Sequence, residues 1–125
     1  MKITAFNPTI LTSHPEETIS LFEALGFERR HHDTSKEGIA EDSVRLKDSN
    51  GFYLDITTTD HFPKDVTLIR MSVDDFDEGY TFLKDHGFRN ALGEGRIIET
   101  EHWKGAHMVS PSGTEIMLMQ HIRKD

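Results

Sequence analysis

ETISLFEALGF, residues 17–27, and EGYTFLKDHGF, residues 78–88, are two renderings of one pattern. Both open on Glu, carry apolar residues at matching places and close on Gly-Phe, so Gly26 pairs with Gly87 and Phe27 with Phe88 at a shift of 61. Internal similarity of this kind points to a repeated structural unit. Ile19, Phe22 and Leu25 in the first copy, and Phe76, Tyr80 and Leu83 in the second, recur at helical spacing. The spacing predicts helices over 15–25 and 75–86, each burying an apolar stripe. At the same shift Ser13 meets Asp74 and Glu16 meets Asp77. Each pair reads as an N-cap followed three residues later by a carboxylate, which suits the positive end of a helix. Pro15 falls in the first turn, where a missing N–H is harmless. Gly26 and Gly87 stand where a left-handed residue would end each helix.

Outside the helices the period changes to two. ITAFNPTIL and VTLIRMSV precede the helices as strands; FERRHH, FRNAL, SVRLKD and GAHMVS follow as shorter ones. NGFYLDIT and SGTEIMLM then match at a shift of 62, placing Gly51 over Gly113, Tyr53 over Glu115 and Asp55 over Met117. A turn Gly ahead of each strand is a hairpin signal. The expectation is an α+β fold of two βαβββ modules, about 1–58 and 65–122, joined by a linker at 59–64. Leu54, Ile56, Ile69, Met71, Ile116 and Leu118 are expected to face the helices. A half of about sixty residues buries too little surface to be comfortable alone. The opposite faces of the two curved mixed sheets are therefore expected to meet around a concave cup.

Composition narrows the function. A formal net charge of −8 over 125 residues argues against nucleic acid as the main partner, since phosphate binding needs clustered Lys and Arg. The absence of cysteine excludes disulfides, thiolate metal sites and a cysteine nucleophile. MKITAFNPTI carries no apolar signal-peptide core and no apolar run reaches membrane length, so a cytoplasmic protein with no membrane partner is expected.

The duplicated strand-helix-three-strand unit, the Gly-Phe after each helix and the Ser-Pro-Ser-Gly turn before the last strand resemble the vicinal oxygen chelate superfamily. That group includes glyoxalase I, bleomycin-resistance proteins and extradiol dioxygenases, and the resemblance runs over about residues 3–120. It implies a divalent metal held by the first and last strands of each half. Carried over by the repeat, those positions are Asn7, Leu68, Asp55 and Met117. Only Asp55 is a good ligand for a hard or borderline cation, and the thioether of Met117 suits Cu(I) instead. No usual divalent centre, and no cofactor, is therefore expected. The resemblance also implies a homodimer.

By strand alternation Thr9, Leu11, Tyr53, Thr57, Arg70, Ser72, Glu115 and Met119 share the inward face with those four positions. Arg70, within expected reach of Asp55 or Glu115, reads either as an internal ion pair or as a clamp for an anionic ligand. His14, His31, His32, His61, His86 and His121 read as surface residues, the adjacent His31 and His32 pointing to opposite faces. His102 and His107 flank the stretch EHWKGAH, and one or both are expected to lean over the mouth of the cup. The main reading is a metal-independent small-molecule binding protein. Its ligand, with an anionic group, would lie near Arg70 and Asp55, with Asn7, Thr9, Tyr53, Glu115, Met117 and His107 contributing. One alternative is a metal-dependent lyase, isomerase or dioxygenase with displaced ligands Asp55, His107 and Glu115. Another is a dimeric interaction module whose cup is filled.

Overall fold

A computed structural model describes residues 1–33 and 42–122, with the side chains of 31–33 left out. The element order is β1 (Ile3–Thr12), α1 (Pro15–Ala24), β2 (Glu28–Asp33), β3 (Asp42–Lys47), β4 (Tyr53–Thr58), β5 (Val66–Val73), α2 (Phe76–Asp85), β6 (Arg89–Asn90), β7 (Ile98–Glu99), β8 (Trp103–Val109) and β9 (Glu115–His121). The class is α+β with a mixed sheet. β1–β4 and β5–β9 pair in parallel, whereas β2–β3, β3–β4, β6–β8, β7–β8 and β8–β9 are antiparallel.

The chain divides into two compact units, Asn7–Thr67 and Leu68–Asp125, the latter together with Met1–Phe6. In the first, the strand order is β2-β3-β4-β1. Its helix-side core is Ile19, Val44, Leu46, Leu54 and Ile56, with Ile10, Phe22 and Phe27 packed against it. In the second, the order is β5-β9-β8-β6, with β7 on β8. Its core is Met71, Val73, Phe76, Leu83, Ala106, Met108 and Leu118, joined by Tyr80, Phe88, Ile97 and Ile116. Lys2 ties the start of β1 to this unit: its N–H donates to Asp74 Oδ1 at 2.6 Å and its carbonyl accepts from Asp74 N at 3.1 Å. The Met1 ammonium donates to Glu78 Oε1, and that bond raises its pKa above the ordinary amino-terminal range.

The repeat is visible in the backbone hydrogen bonds. Gly26 and Gly87 take φ of +107° and +91°, a region open to glycine but costly for a residue with a Cβ. Their N–H groups donate to Glu23 O and Lys84 O at 3.0 Å each. Leu25 lies just beyond the last helical residue and is 66 % exposed, so the buried stripe of α1 ends at Phe22. The strand FRNAL is reduced to Arg89–Asn90, because the chain turns away at Ala91 through Gly93.

The helix starts differ from the expected caps. His14, not Ser13, occupies the N-cap of α1 and makes no side-chain cap, while Pro15 opens the helix. In α2 the cap is Asp75, whose carboxylate accepts from Glu78 N at 3.1 Å. Asp74 is withdrawn from capping because its carboxylate is spent on Lys2. Asp75→Ala is accordingly expected to cost about 1 kcal/mol. Ser13→Ala should stay within about 0.5 kcal/mol, since no cap is lost. Urea unfolding midpoints decide the matter: equal losses for the two variants would contradict these starts.

Candidate functional site

Each unit builds its polar face on one hairpin. In the Asn7–Thr67 unit the β3–β4 turn is closed by Asp48, whose Oδ1 accepts from Asn50 N at 3.0 Å and Phe52 N at 2.8 Å. Gly51 supplies the left-handed residue, φ +90°. In the other unit Ser110 Oγ accepts from Thr114 N at 2.9 Å and Gly113 has φ +98°. A side-chain acceptor and a glycine at the same repeat positions set both registers. They place Arg45 opposite Asp55 and His107 opposite Met117.

Those registers decide the chemistry of each face. Arg45 Nε donates to Asp55 Oδ1 at 2.9 Å and its Nη2 to Asp55 Oδ2 at 3.1 Å. Asn7 closes the set, accepting from Arg45 Nη2 at 3.3 Å and donating from Nδ2 to Asp55 Oδ2 at 2.9 Å. Asp55 is only 4 % exposed, so a planar two-point partner is the form of charge compensation such a site demands. Tyr53, half exposed, lies under two cations, with Arg45 Cζ 4.9 Å and Lys47 Nζ 5.2 Å from the ring centroid. Thr9 pairs with Asp55 across β1–β4 and is buried, yet its Oγ1 has no hydrogen-bond partner among the described residues.

In the Leu68–Asp125 unit His107 is 3 % exposed and its Nε2 lies 2.7 Å from Glu115 Oε1. Such a pair holds the imidazole in one orientation and can pass a proton. His107 stands inside β8, Trp103–Val109, and the exposed His102 precedes that strand in the turn. Arg70 pairs with Met117 along β5–β9, donates from Nε to Met119 Sδ at 3.2 Å and reaches His121 Nε2 at 3.4 Å. Ser72 Oγ is a second buried hydroxyl without a partner among the described residues.

The structure thus gathers Asn7, Thr9, Tyr53 and Asp55 in one unit and Arg70, His107, Glu115 and Met117 in the other. Leu68 and Met117 belong to neither helix-side cluster, as the alternation required. Arg45 was not singled out from sequence, although a signal existed: Arg45 and Asp55 lie equally far from Asn50 in a hairpin that turns there. His14, His61, His86 and His121 are exposed, whereas the His31 and His32 side chains lie outside the described ones.

The donors at the four carried-over metal positions do not fit a hard divalent cation. Leu68 has no donor atom, and Met117 offers a thioether. Asp55 turns both oxygens to the Arg45 guanidinium, and Asn7 turns its own oxygen there too. A second cation on Asp55 would have to approach a resident positive charge. Among the described residues no group of three or more His, Asp or Glu side chains is gathered as a metal-holding set. No helix among them is long and apolar enough to cross a membrane.

No protein-family model and no curated protein matches the sequence. Solved structures do match the fold. A glyoxalase/bleomycin resistance protein/dioxygenase superfamily member from Vibrio splendidus superposes with a TM-score of 0.63 at 16 % identity, over 95 % of this chain and 99 % of that one. A glyoxalase I mutant from Zea mays gives 0.69 at 14 % identity over 98 % of this chain, and a 4-hydroxymandelate synthase mutant from Streptomyces coelicolor 0.59 at 13 % over 95 %. The chain spans 44 % and 48 % of those two longer proteins. At such identities the likeness establishes the fold alone: that of the vicinal oxygen chelate proteins.

Proposed function

We propose that this chain, with its vicinal oxygen chelate fold, is a small-molecule binding protein of the glyoxalase/bleomycin-resistance type that works without the usual divalent metal centre. The observation that supports this most is the Arg45–Asp55–Asn7 network. A guanidinium fixed by two strands already occupies both Asp55 oxygens that a metal ion would otherwise take. The ligand contacts are Asn7, Thr9, Tyr53 and Asp55 in one unit, and Arg70, Glu115, Met117 and His107 in the other. The buried, unanswered hydroxyl of Thr9 favours a ligand with a polar group to meet it, since a buried group without a partner costs about 1–3 kcal/mol. An anionic group on the ligand suits the arginines. The protein is further proposed to act as a homodimer in the cytoplasm.

The test is a thermal-shift screen of small carboxylates and phosphates with EDTA or with Ni2+, Mn2+ or Zn2+, paired with elemental analysis of protein purified without chelator. Ligands should raise Tm equally in EDTA, by the amount mass action allows, about 2.7 kcal/mol at a hundred times Kd. One tightly held transition metal per chain would overturn the reading. Thr9→Val should abolish the polar part of the ligand response while leaving the free protein as stable or up to about 1 kcal/mol more so, because it removes an unanswered hydroxyl. A marked loss of stability in Thr9→Val would mean the hydroxyl has a partner after all.

A second reading rests on the 2.7 Å contact of His107 with Glu115, an imidazole and a carboxylate of types that bind metal. In that reading the protein is a metal-dependent lyase, isomerase or dioxygenase whose metal sits on the His107–Glu115 pair. Glu115→Ala should then empty the metal; unchanged metal content removes this alternative.

A further inference from the structure

We propose that Lys47 is the residue that takes the anionic group of the ligand. The ligand is then a short carboxylate with a hydroxyl or carbonyl at its far end, laid along the β3–β4–β1 face of the Asn7–Thr67 unit. This rests on the small-molecule reading above and deepens it. Side chains alternate along β3 and β4, so Arg45 and Lys47 share a face with their register partners Asp55 and Tyr53. The opposite face of both strands is spent on the core under α1.

Three charges meet on this face and they do not cancel. Arg45 already answers both oxygens of Asp55. Lys47 is half-buried, and among the described residues its ammonium makes no hydrogen bond and no ion pair. It rests on the Tyr53 ring, with Nζ 5.2 Å from the centroid. The neighbouring carboxylates are committed elsewhere. Glu28, the register partner of Lys47 on β2, pairs with Arg30 at 3.4 Å, and Asp48 accepts from the Asn50 and Phe52 N–H groups. The ammonium is therefore an uncompensated positive charge in a chain whose net charge is −8. A cation held partly out of water gains more from an anion than a fully solvated lysine does.

The second observation is the buried hydroxyl of Thr9. Burial rises across the face, from Tyr53 at 39 % exposed to Thr9 at 6 %, so the Lys47 end is open and the Thr9 end closed. Thr9 is the register partner of Asp55 on β1, and its Oγ1 has no hydrogen-bond partner among the described residues. Strand spacing sets the Lys47 and Thr9 Cα atoms about 12 Å apart, and the lysine stem lying toward Tyr53 shortens the gap to be bridged. A carboxylate suits the open end, where it keeps part of its hydration. A neutral hydroxyl or carbonyl suits the closed end, where a second anion beside Asp55 would be costly. Nothing has to be displaced, because the Arg45–Asp55–Asn7 network stays in place beneath the ligand.

The decisive experiment titrates the isotope-labelled full chain, in EDTA, with three matched probes and follows its amide resonances by NMR. One probe, 6-hydroxyhexanoate, carries both groups, with ends roughly 9 Å apart when extended. Hexanoate carries the carboxylate alone, and 1,6-hexanediol carries hydroxyls without charge. 6-Hydroxyhexanoate should bind most tightly and move the resonances of Lys47, Tyr53 and Thr9. Lys47→Met should weaken both carboxylates about tenfold and leave the diol unchanged, so the diol reports any structural damage. Lys47→Arg, which keeps the charge, should retain most of the carboxylate affinity. Thr9→Val should erase the advantage of 6-hydroxyhexanoate over hexanoate. Carboxylate affinities that Lys47→Met leaves unchanged overturn this assignment alone, as do resonance changes confined to the Leu68–Asp125 unit. Equal weakening of the diol, or a loss in Lys47→Arg as large as in Lys47→Met, does the same. No response to any probe overturns it together with the small-molecule reading.

Discussion

Arg45→Met should lower stability by about 3 kcal/mol, the cost of removing one partner of a buried ion pair. Asp55 is 4 % exposed, and Arg45 meets both of its oxygens within 3.1 Å. Met keeps much of the apolar stem and removes the charge, so the loss would come from the carboxylate and not from a cavity. The double replacement Arg45→Met/Asp55→Leu should recover most of it, because desolvating two charges in the folded state costs about as much as their attraction returns. A urea series on the wild type, both single variants and the double one measures the coupling directly. If the single losses simply add, the fork contributes no interaction of its own, and its role as the standing partner of Asp55 falls with it.

The second large effect is expected in the core of the Leu68–Asp125 unit. Leu118→Ala should cost about 3–4 kcal/mol, the range for a fully buried leucine whose surroundings collapse only in part. Leu118 is 0 % exposed in the core under α2. Even the space beside Gly79 is tight, since a Cβ there would lie 3.2 Å from Leu118 Cδ1. Met119, the next residue, points to the opposite face, and Met119→Leu should cost less than about 1.5 kcal/mol as a volume-conserving change. Denaturant midpoints compared at equal slope are the readout. Similar losses at both positions would contradict the alternation that gives β9 one helix-side face and one opposite face.

Much of the fold was legible because its signals are local. A glycine at φ +107° or +91° ends each helix, and a glycine at φ +90° or +98° turns each hairpin, whatever lies elsewhere in the chain. The period-two pattern of β4 and β9 sorted Leu54, Ile56 and Leu118 to the helices and kept Asp55 and Met117 off them. Where the reading failed, the competing contact came from a distance. Asp74 looked like a helix cap, but Lys2, 72 positions away, takes its carboxylate and leaves the cap to Asp75. His107 is buried within β8 against Glu115, a partner eight residues away that its own stretch of chain does not name.

The amino-acid sequence by itself determined the repeat, the two helix stops, the two hairpin turns and the shortage of hard metal ligands at the four positions carried over from the resemblance. These follow from backbone sterics, side-chain period and donor chemistry, which act within a few residues. The tertiary structure decided which side chain answers which: Arg45 for Asp55, Glu115 for His107, and Arg70 for Met119. Partner choice depends on strand register and on which charges lose their water together, and desolvation is a property of the packed state that no local stretch of chain possesses.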